Sequence, residues 1–254
     1  MKIDLNCDMG ESFGVYNLGE DKAAMPLVTS INVACGFHAS DPTNIWKTIN
    51  LAKEYGVAVG AHPAFPDLVG FGRRTLVSSL EEIKADVIYQ IGAVKSFCDV
   101  ENVPMQHVKV HGALYNLAEK DESIAQAIGE AIKMVDANLI MVCMANSKMV
   151  EGAKKSGVRY VEEVFADRAY TNEGNLVSRT MAGAVIHDPE VIAERVLGMV
   201  KDKKVKSIDG KDVPINAQTI CVHGDTMGAV DIIRSIKDRL VKEGLTLEAF
   251  GKWL

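Results

Sequence analysis

Lys2-Ile3-Asp4-Leu5-Asn6-Cys7-Asp8 opens the chain with strict alternation of side-chain type. Successive strand residues point to opposite faces, so Asp4, Asn6 and Asp8 share one face and Ile3, Leu5 and Cys7 the other. Six more short apolar runs of strand character follow: Ser30 to Cys35, Val57 to Ala61, Val108 to Val110, Leu139 to Cys143, Val158 to Val164 and Thr219 to Val222. Segments of helical periodicity lie between most of them, among them Asn44 to Tyr55, Leu80 to Cys98, Glu122 to Val135, Ser147 to Lys155 and Pro189 to Lys201. Strands alternating with helices call for an α/β fold with a parallel sheet and crossover helices, and seven strands suit a barrel at least as well as an open sheet. In a barrel the outer face of each strand meets helices, which cannot accept a row of acids. Asp4, Asn6 and Asp8 are therefore expected in the lumen.

Local punctuation agrees. Asp41-Pro42 and Asp188-Pro189 each supply an N-cap followed by proline at the first helical position, and Gly56 and Gly157 mark helix stops. Asp209-Gly210, between two alternating runs, predicts a small surface hairpin over Val205 to Ile215. The 254 residues, 48% hydrophobic and 24% charged, can bury one large core, and with no Pro/Ser/Gly-rich linker residues 1–254 read as a single domain. A net charge of -6 with scattered lysines and arginines argues against a nucleic-acid partner. The N-terminus lacks a signal-peptide pattern and no apolar stretch is long enough for a membrane span, so a cytoplasmic location is expected. Five cysteines without a CxxC pair read as reduced, buried hydrophobes.

The polar residues concentrate where strands end. His38, His62, Lys109 with His111, Asp167 with Arg168, and His223 with Asp225 each lie at or just past the C-terminal end of a strand run. Loops at that end of a parallel barrel converge on one site. A single strand-end histidine is more often a hydrogen-bonded structural residue than a catalyst, and an aspartate there is often a helix N-cap, but their recurrence on different strands points to a shared pocket. His107 is expected before its strand at the opposite end, as a structural residue, and His187 in solvent. Two long loops, Pro63 to Thr75 and Asp167 to Arg179, carry Arg73, Arg74, Arg168 and Arg179, whose guanidinium forks suit an anionic substrate or nucleotide. No P-loop motif occurs.

Seven motifs, in order along nearly the whole chain, resemble the LamB/YcsF family: Asp4 to Gly14, Asn32 to His38, Gly60 to Asp67, Gly70 to Arg74, Lys109 to Tyr115, Phe165 to Tyr170 and Val222 to Asp225. The resemblance implies a seven-stranded glycoside hydrolase/deacetylase-like barrel. It also implies ATP-dependent opening of 5-oxoproline to glutamate, with Mg-ATP as co-substrate and 5-oxoprolinase subunits B and C as partners. For that chemistry Asp8 or Asp4 is the expected general base and His62 or His111 the acid, with Lys109 and Arg168 holding phosphate or carboxylate and Asn6 orienting the amide. His38, Arg73, His223 and Asp225 are expected substrate contacts. The alternative is a metal-dependent deacetylase of a sugar or amide, with Asp8, His38 and His62 around a Zn²⁺.

Overall fold

A computed structural model describes residues 1–222 and 228–254. In chain order its elements are β1 (Lys2–Met9), α1 (Asp21–Ala24), β2 (Ser30–Ala34), α2 (Pro42–Tyr55), β3 (Ala58–His62), α3 (Leu80–Glu101), β4 (Met105–Val108), α4 (Gly112–Ala118) and α5 (Glu122–Val135). They continue as β5 (Ile140–Met144), α6 (Lys148–Ser156), β6 (Arg159–Phe165), α7 (Pro189–Lys201), β7 (Lys204–Lys206), β8 (Asp212–Pro214), β9 (Thr219–Val222), α8 (Ala229–Lys242) and β10 (Thr246–Leu247). A last 3-10 turn spans Phe250–Lys252.

Strands pair in the order β1-β2-β3-β4-β5-β6-β9, all parallel, and β9 pairs back with β1, closing a seven-stranded (β/α) barrel. β7 and β8 form the antiparallel hairpin expected around Asp209-Gly210. The helix signals act as read: Asp41 accepts from the backbone N–H groups of Thr43 and Asn44, Asp188 from those of Glu190 and Val191, and Gly56 and Gly157 take the left-handed conformation that ends α2 and α6. Three further helices join the expected set, the four-residue α1 among them. α4 starts directly after His111, and α8 carries Ile232, Ile233, Ile236 and Leu240 on one buried stripe.

Outside the barrel wall, Ile3, Leu5 and Cys7 are fully buried with the helices in the main apolar core. Inside, the lumen is stratified. At the N-terminal end of the strands Phe250 packs with Ile140, Val142 and Val161 and plugs the barrel. Above that plug the lumen turns polar.

One expected strand needs correcting. The fourth begins at Met105, not Val108, so His107 lies within β4 and not ahead of it. Gln106 and His107 masked the strand in an apolar-run reading, because a polar residue looks out of place there until its lumenal partner is known. His107 is fully buried; its Nε2 meets Asn32 Oδ1 at 2.8 Å and its Nδ1 meets Gln106 Nε2 at 3.2 Å. Gly60 on β3 makes room for it, since a Cβ there would stand 2.2 Å from the imidazole.

Candidate active site

Alternation along β1 carries Asp4, Asn6 and Asp8 up the lumen, and all three are buried. Asp4 is lowest. The hydroxyls of Thr29 (2.6 Å), Ser30 (2.9 Å) and Thr219 all donate to its carboxylate, and burial nevertheless raises its pKa to about 6. Asn6 comes next: its amide donates to Glu163 Oε1 at 3.0 Å and Thr219 Oγ1 at 2.7 Å, while its oxygen accepts from Asn32 at 2.8 Å. Asp8 reaches the top, where it lines an open cavity of about 390 Å³ together with His62, Lys109 and His111. Asp4 does not line that cavity.

Lys109, just past β4, ties the lumen together. Its ammonium lies 2.9 Å from Asp8 Oδ1, 3.1 Å from Glu163 Oε1 and 2.9 Å from Cys221 Sγ, with only 2% of the side chain exposed. Burial opposes its charge, but the Asp8 and Glu163 carboxylates outweigh burial and hold it protonated. Burial drives the Cys221 thiol far up, so the sulfur serves as a neutral acceptor of the ammonium. Cys221 is thus more than the small hydrophobe expected, although all five cysteines are free and buried. Glu163 was not among the expected site residues. It stands on the inward face of β6, fully buried, and also accepts from Tyr115 Oη at 2.9 Å.

Three histidines close the other side. His62 Nε2 is 3.4 Å from Asp8 Oδ2 and 3.0 Å from His111 Nδ1. His62 Nδ1 faces the Lys109 carbonyl at 2.6 Å and His111 Nε2 faces the Phe71 carbonyl at 2.9 Å. A carbonyl only accepts, so those two nitrogens carry hydrogens, and the remaining ring nitrogens, His62 Nε2 and His111 Nδ1, are aimed at each other beside Asp8. His38 stacks on His111 with ring centroids 4.0 Å apart. Burial first, then the neighbouring imidazoles, pushes His38 well below the usual histidine range, and burial carries His111 down to about 3. Glu11 completes the group, its Oε1 4.0 Å from His38 Nε2. Ligand atoms of Glu11, His38, His62 and His111 all fall within 4.8 Å of one another, an arrangement able to hold a metal ion. The set differs from the expected Asp8, His38 and His62: Asp8 borders it, while Glu11 and His111 join it. Glu11 escaped the alternation rule because Gly10, at φ 71, breaks the strand just before it.

The two arginine-rich loops roof the cavity. Arg73 lines it, while Arg74 is bound to Asp67 and pulls that carboxyl down to about 2, so the adjacent arginines divide into one cavity residue and one loop brace. Arg168 and Arg179 line the opposite wall beside Lys120; Arg168 donates to the Val177 carbonyl at 2.6 Å. Gly72 backs onto the histidines, where a Cβ would come 2.8 Å from His38 and 2.9 Å from His111. His223 and Asp225 lie outside the described residues, and His187 is exposed.

The sequence pattern of the LamB/YcsF family matches residues 3–254. The chain belongs to the LamB/YcsF family. A Campylobacter jejuni protein, named as the A-subunit of 5-oxoprolinase, is 49% identical over 253 residues, covering 100% of this chain and 99% of that one. One of the same name from Clostridium beijerinckii is 52% identical over 246 residues, covering 97% and 96%. The crystal structure of a lactam utilization protein from Thermus thermophilus superimposes with a TM-score of 0.95 at 47% identity, over 98% of this chain and 100% of that one. This LamB/YcsF chain therefore shares its whole barrel, the site strands included, with the Thermus thermophilus structure. Among the described residues, no helix is long and apolar enough to cross a membrane.

Proposed function

We propose that this chain is the lactam-opening subunit of an ATP-dependent 5-oxoprolinase, hydrolysing 5-oxoproline to L-glutamate in the cytoplasm with partner subunits B and C. The supporting observation is the Asp8-Lys109 pair at the floor of a cavity whose walls carry Arg73, Lys120, Arg168 and Arg179. A compact anionic substrate suits such walls: 5-oxoproline bears one carboxylate, and guanidinium groups bind it in a fork. The likeness along the whole chain to proteins named as 5-oxoprolinase A-subunits supports the choice of substrate.

In this reading Asp8 takes a proton from the attacking water as the water oxygen bonds to the ring carbonyl carbon. The C–N bond then breaks, and the same carboxyl returns the proton to the leaving nitrogen, so water is consumed and the ring opens. Lys109, 2.9 Å from Asp8 Oδ1, holds that carboxylate in place for the attack. His62 and His111 each spend one ring nitrogen on a backbone carbonyl, and burial keeps His111 unprotonated, which favours the Asp8 carboxyl over it as the acid. Asp4, sealed beneath Asn6, serves the lumen and not the reaction.

A lactam is a poor electrophile. ATP supplies the drive: its terminal phosphoryl group passes to the lactam oxygen as ADP leaves, the attack of water on the ring carbon then breaks the C–N bond to leave an acyl phosphate, and a second water cleaves that to glutamate and inorganic phosphate. The cationic walls fit a phosphorylated substrate as well as a carboxylate. Incubating the chain with 5-oxoproline and Mg-ATP, alone and with subunits B and C, tests the assignment: glutamate and inorganic phosphate are expected only from the complete mixture. No glutamate from any mixture of folded proteins would contradict it.

A further inference from the structure

We propose that Glu11, His38, His62 and His111 form a site for one divalent transition-metal ion of the zinc class, at the edge of the cavity beside Asp8.

Acceptor geometry comes first. His62 Nε2 and His111 Nδ1 face each other at 3.0 Å with their hydrogens committed to the Lys109 and Phe71 carbonyls. The two remaining ring nitrogens are thus aimed at one point, where a cation would be held by both. Two nitrogen ligands each about 2.1 Å from a shared tetrahedral ion are about 3.4 Å apart, so this pair needs to open by only about 0.4 Å to share one. A ring whose second nitrogen donates to a carbonyl is also the usual setting of a metal-bound histidine, because that hydrogen bond fixes the tautomer and aims the free lone pair.

His38 supplies an independent observation. It is fully buried, and neither ring nitrogen has a hydrogen-bond partner among the described residues. A buried imidazole without a partner is costly, and an ion within reach would satisfy it.

Three imidazoles and one carboxylate select zinc, cobalt, nickel or ferrous iron over magnesium, which prefers oxygen ligands and keeps its waters. The site is therefore distinct from any magnesium that accompanies ATP. When bound, such an ion supplies Lewis acidity at the cavity edge next to the Asp8 carboxylate. His62 and His111 then act as ligands and take no part in proton transfer.

The test concerns binding and needs no turnover. The untagged chain is stripped with dipicolinate and titrated with Co²⁺, followed by its visible d–d absorption. The expected result is one Co²⁺ per chain, displaced by Zn²⁺ and untouched by excess Mg²⁺. His38→Phe, which keeps the stacked ring, and Glu11→Gln should each weaken Co²⁺ binding by about 100-fold or more, beyond the loss usual for a supporting residue. Exposed His187→Asn should bind like the wild type, and thermal melts identify which variants are folded; should His38→Phe fail to fold, Glu11→Gln carries the comparison. Absence of Co²⁺ bands at millimolar metal, displacement by Mg²⁺, or undiminished binding in the folded variants would overturn the proposal.

Discussion

The Lys109 ammonium lies 2.9 Å from Asp8 Oδ1 and 3.1 Å from Glu163 Oε1, so one cation bridges two carboxylates that enter the lumen from different strands. The bridge explains why a row of polar side chains can be buried here. Asn6, Asn32 and Tyr115 spend their donors on the same carboxylates and leave little buried charge unpaired. The arrangement also fixes Asp8 at the cavity floor.

Removing the cation should be worse than removing the group. Lys109→Met keeps the length of the chain but leaves Asp8 and Glu163 facing each other without compensation, a loss of about 3–5 kcal/mol in denaturant unfolding. Adding Glu163→Gln should recover part of that loss. Full additivity of the two changes in a double-mutant cycle would show that the bridge is not an energetic unit.

His107 should make the fold sensitive to acid. Burial, with Lys109 nearby, lowers its pKa to about 3 against the unfolded 6.5, so between those values the unfolded chain binds the extra proton. Stability from this group is full above pH 6.5 and declines as pH falls toward 3, by up to about 1.4 kcal/mol per pH unit. His107→Gln, which can still donate to Asn32, should flatten the stability curve between about pH 6 and pH 4 in urea titrations. An unchanged slope would contradict the burial of a neutral imidazole.

Asp4 should show the opposite trend. Its pKa is about 6 when folded and 3.8 when unfolded, so the folded state binds the extra proton between them and gains stability as pH falls through that window. Above pH 6 the buried charge costs about 3 kcal/mol. The stability of Asp4→Asn relative to wild type should therefore improve from about pH 4 to pH 8. A constant difference across that range would mean Asp4 titrates normally.

Gly60→Ala should destabilise strongly, because the new methyl group would sit 2.2 Å from His107, in a wall that cannot shift freely. An overpacking loss of about 1–3 kcal/mol is expected. Pairing it with His107→Ala should relieve most of the loss, and absence of relief in thermal melts would place the strain elsewhere.

Much of this was legible in the sequence. Alternation alone put Asp4, Asn6 and Asp8 on one face, and the Asp-Pro and Gly signals located helix ends, because both depend on local backbone geometry. What alternation could not reveal was pairing across the barrel. His107 looked foreign to a strand without Asn32 and Gly60 in view, and Glu163 was one of two adjacent glutamates whose orientation depends on strand register. Glu11 lay past a left-handed glycine that resets the facing of the chain. Asp4 and Asp8 looked equivalent in sequence, and depth in the lumen separates them: one is sealed by hydroxyls, the other reaches the cavity.

In the proposed reaction Asp8 carries the lactam opening. The direct measurement is glutamate release from 5-oxoproline and Mg-ATP by the chain assembled with subunits B and C, comparing wild type with Asp8→Asn. The account predicts wild-type turnover, and a fall of at least about 100-fold in a variant that melts like the wild type and still assembles, since loss of a positioned base costs about that much or more. Undiminished glutamate release by Asp8→Asn would contradict it.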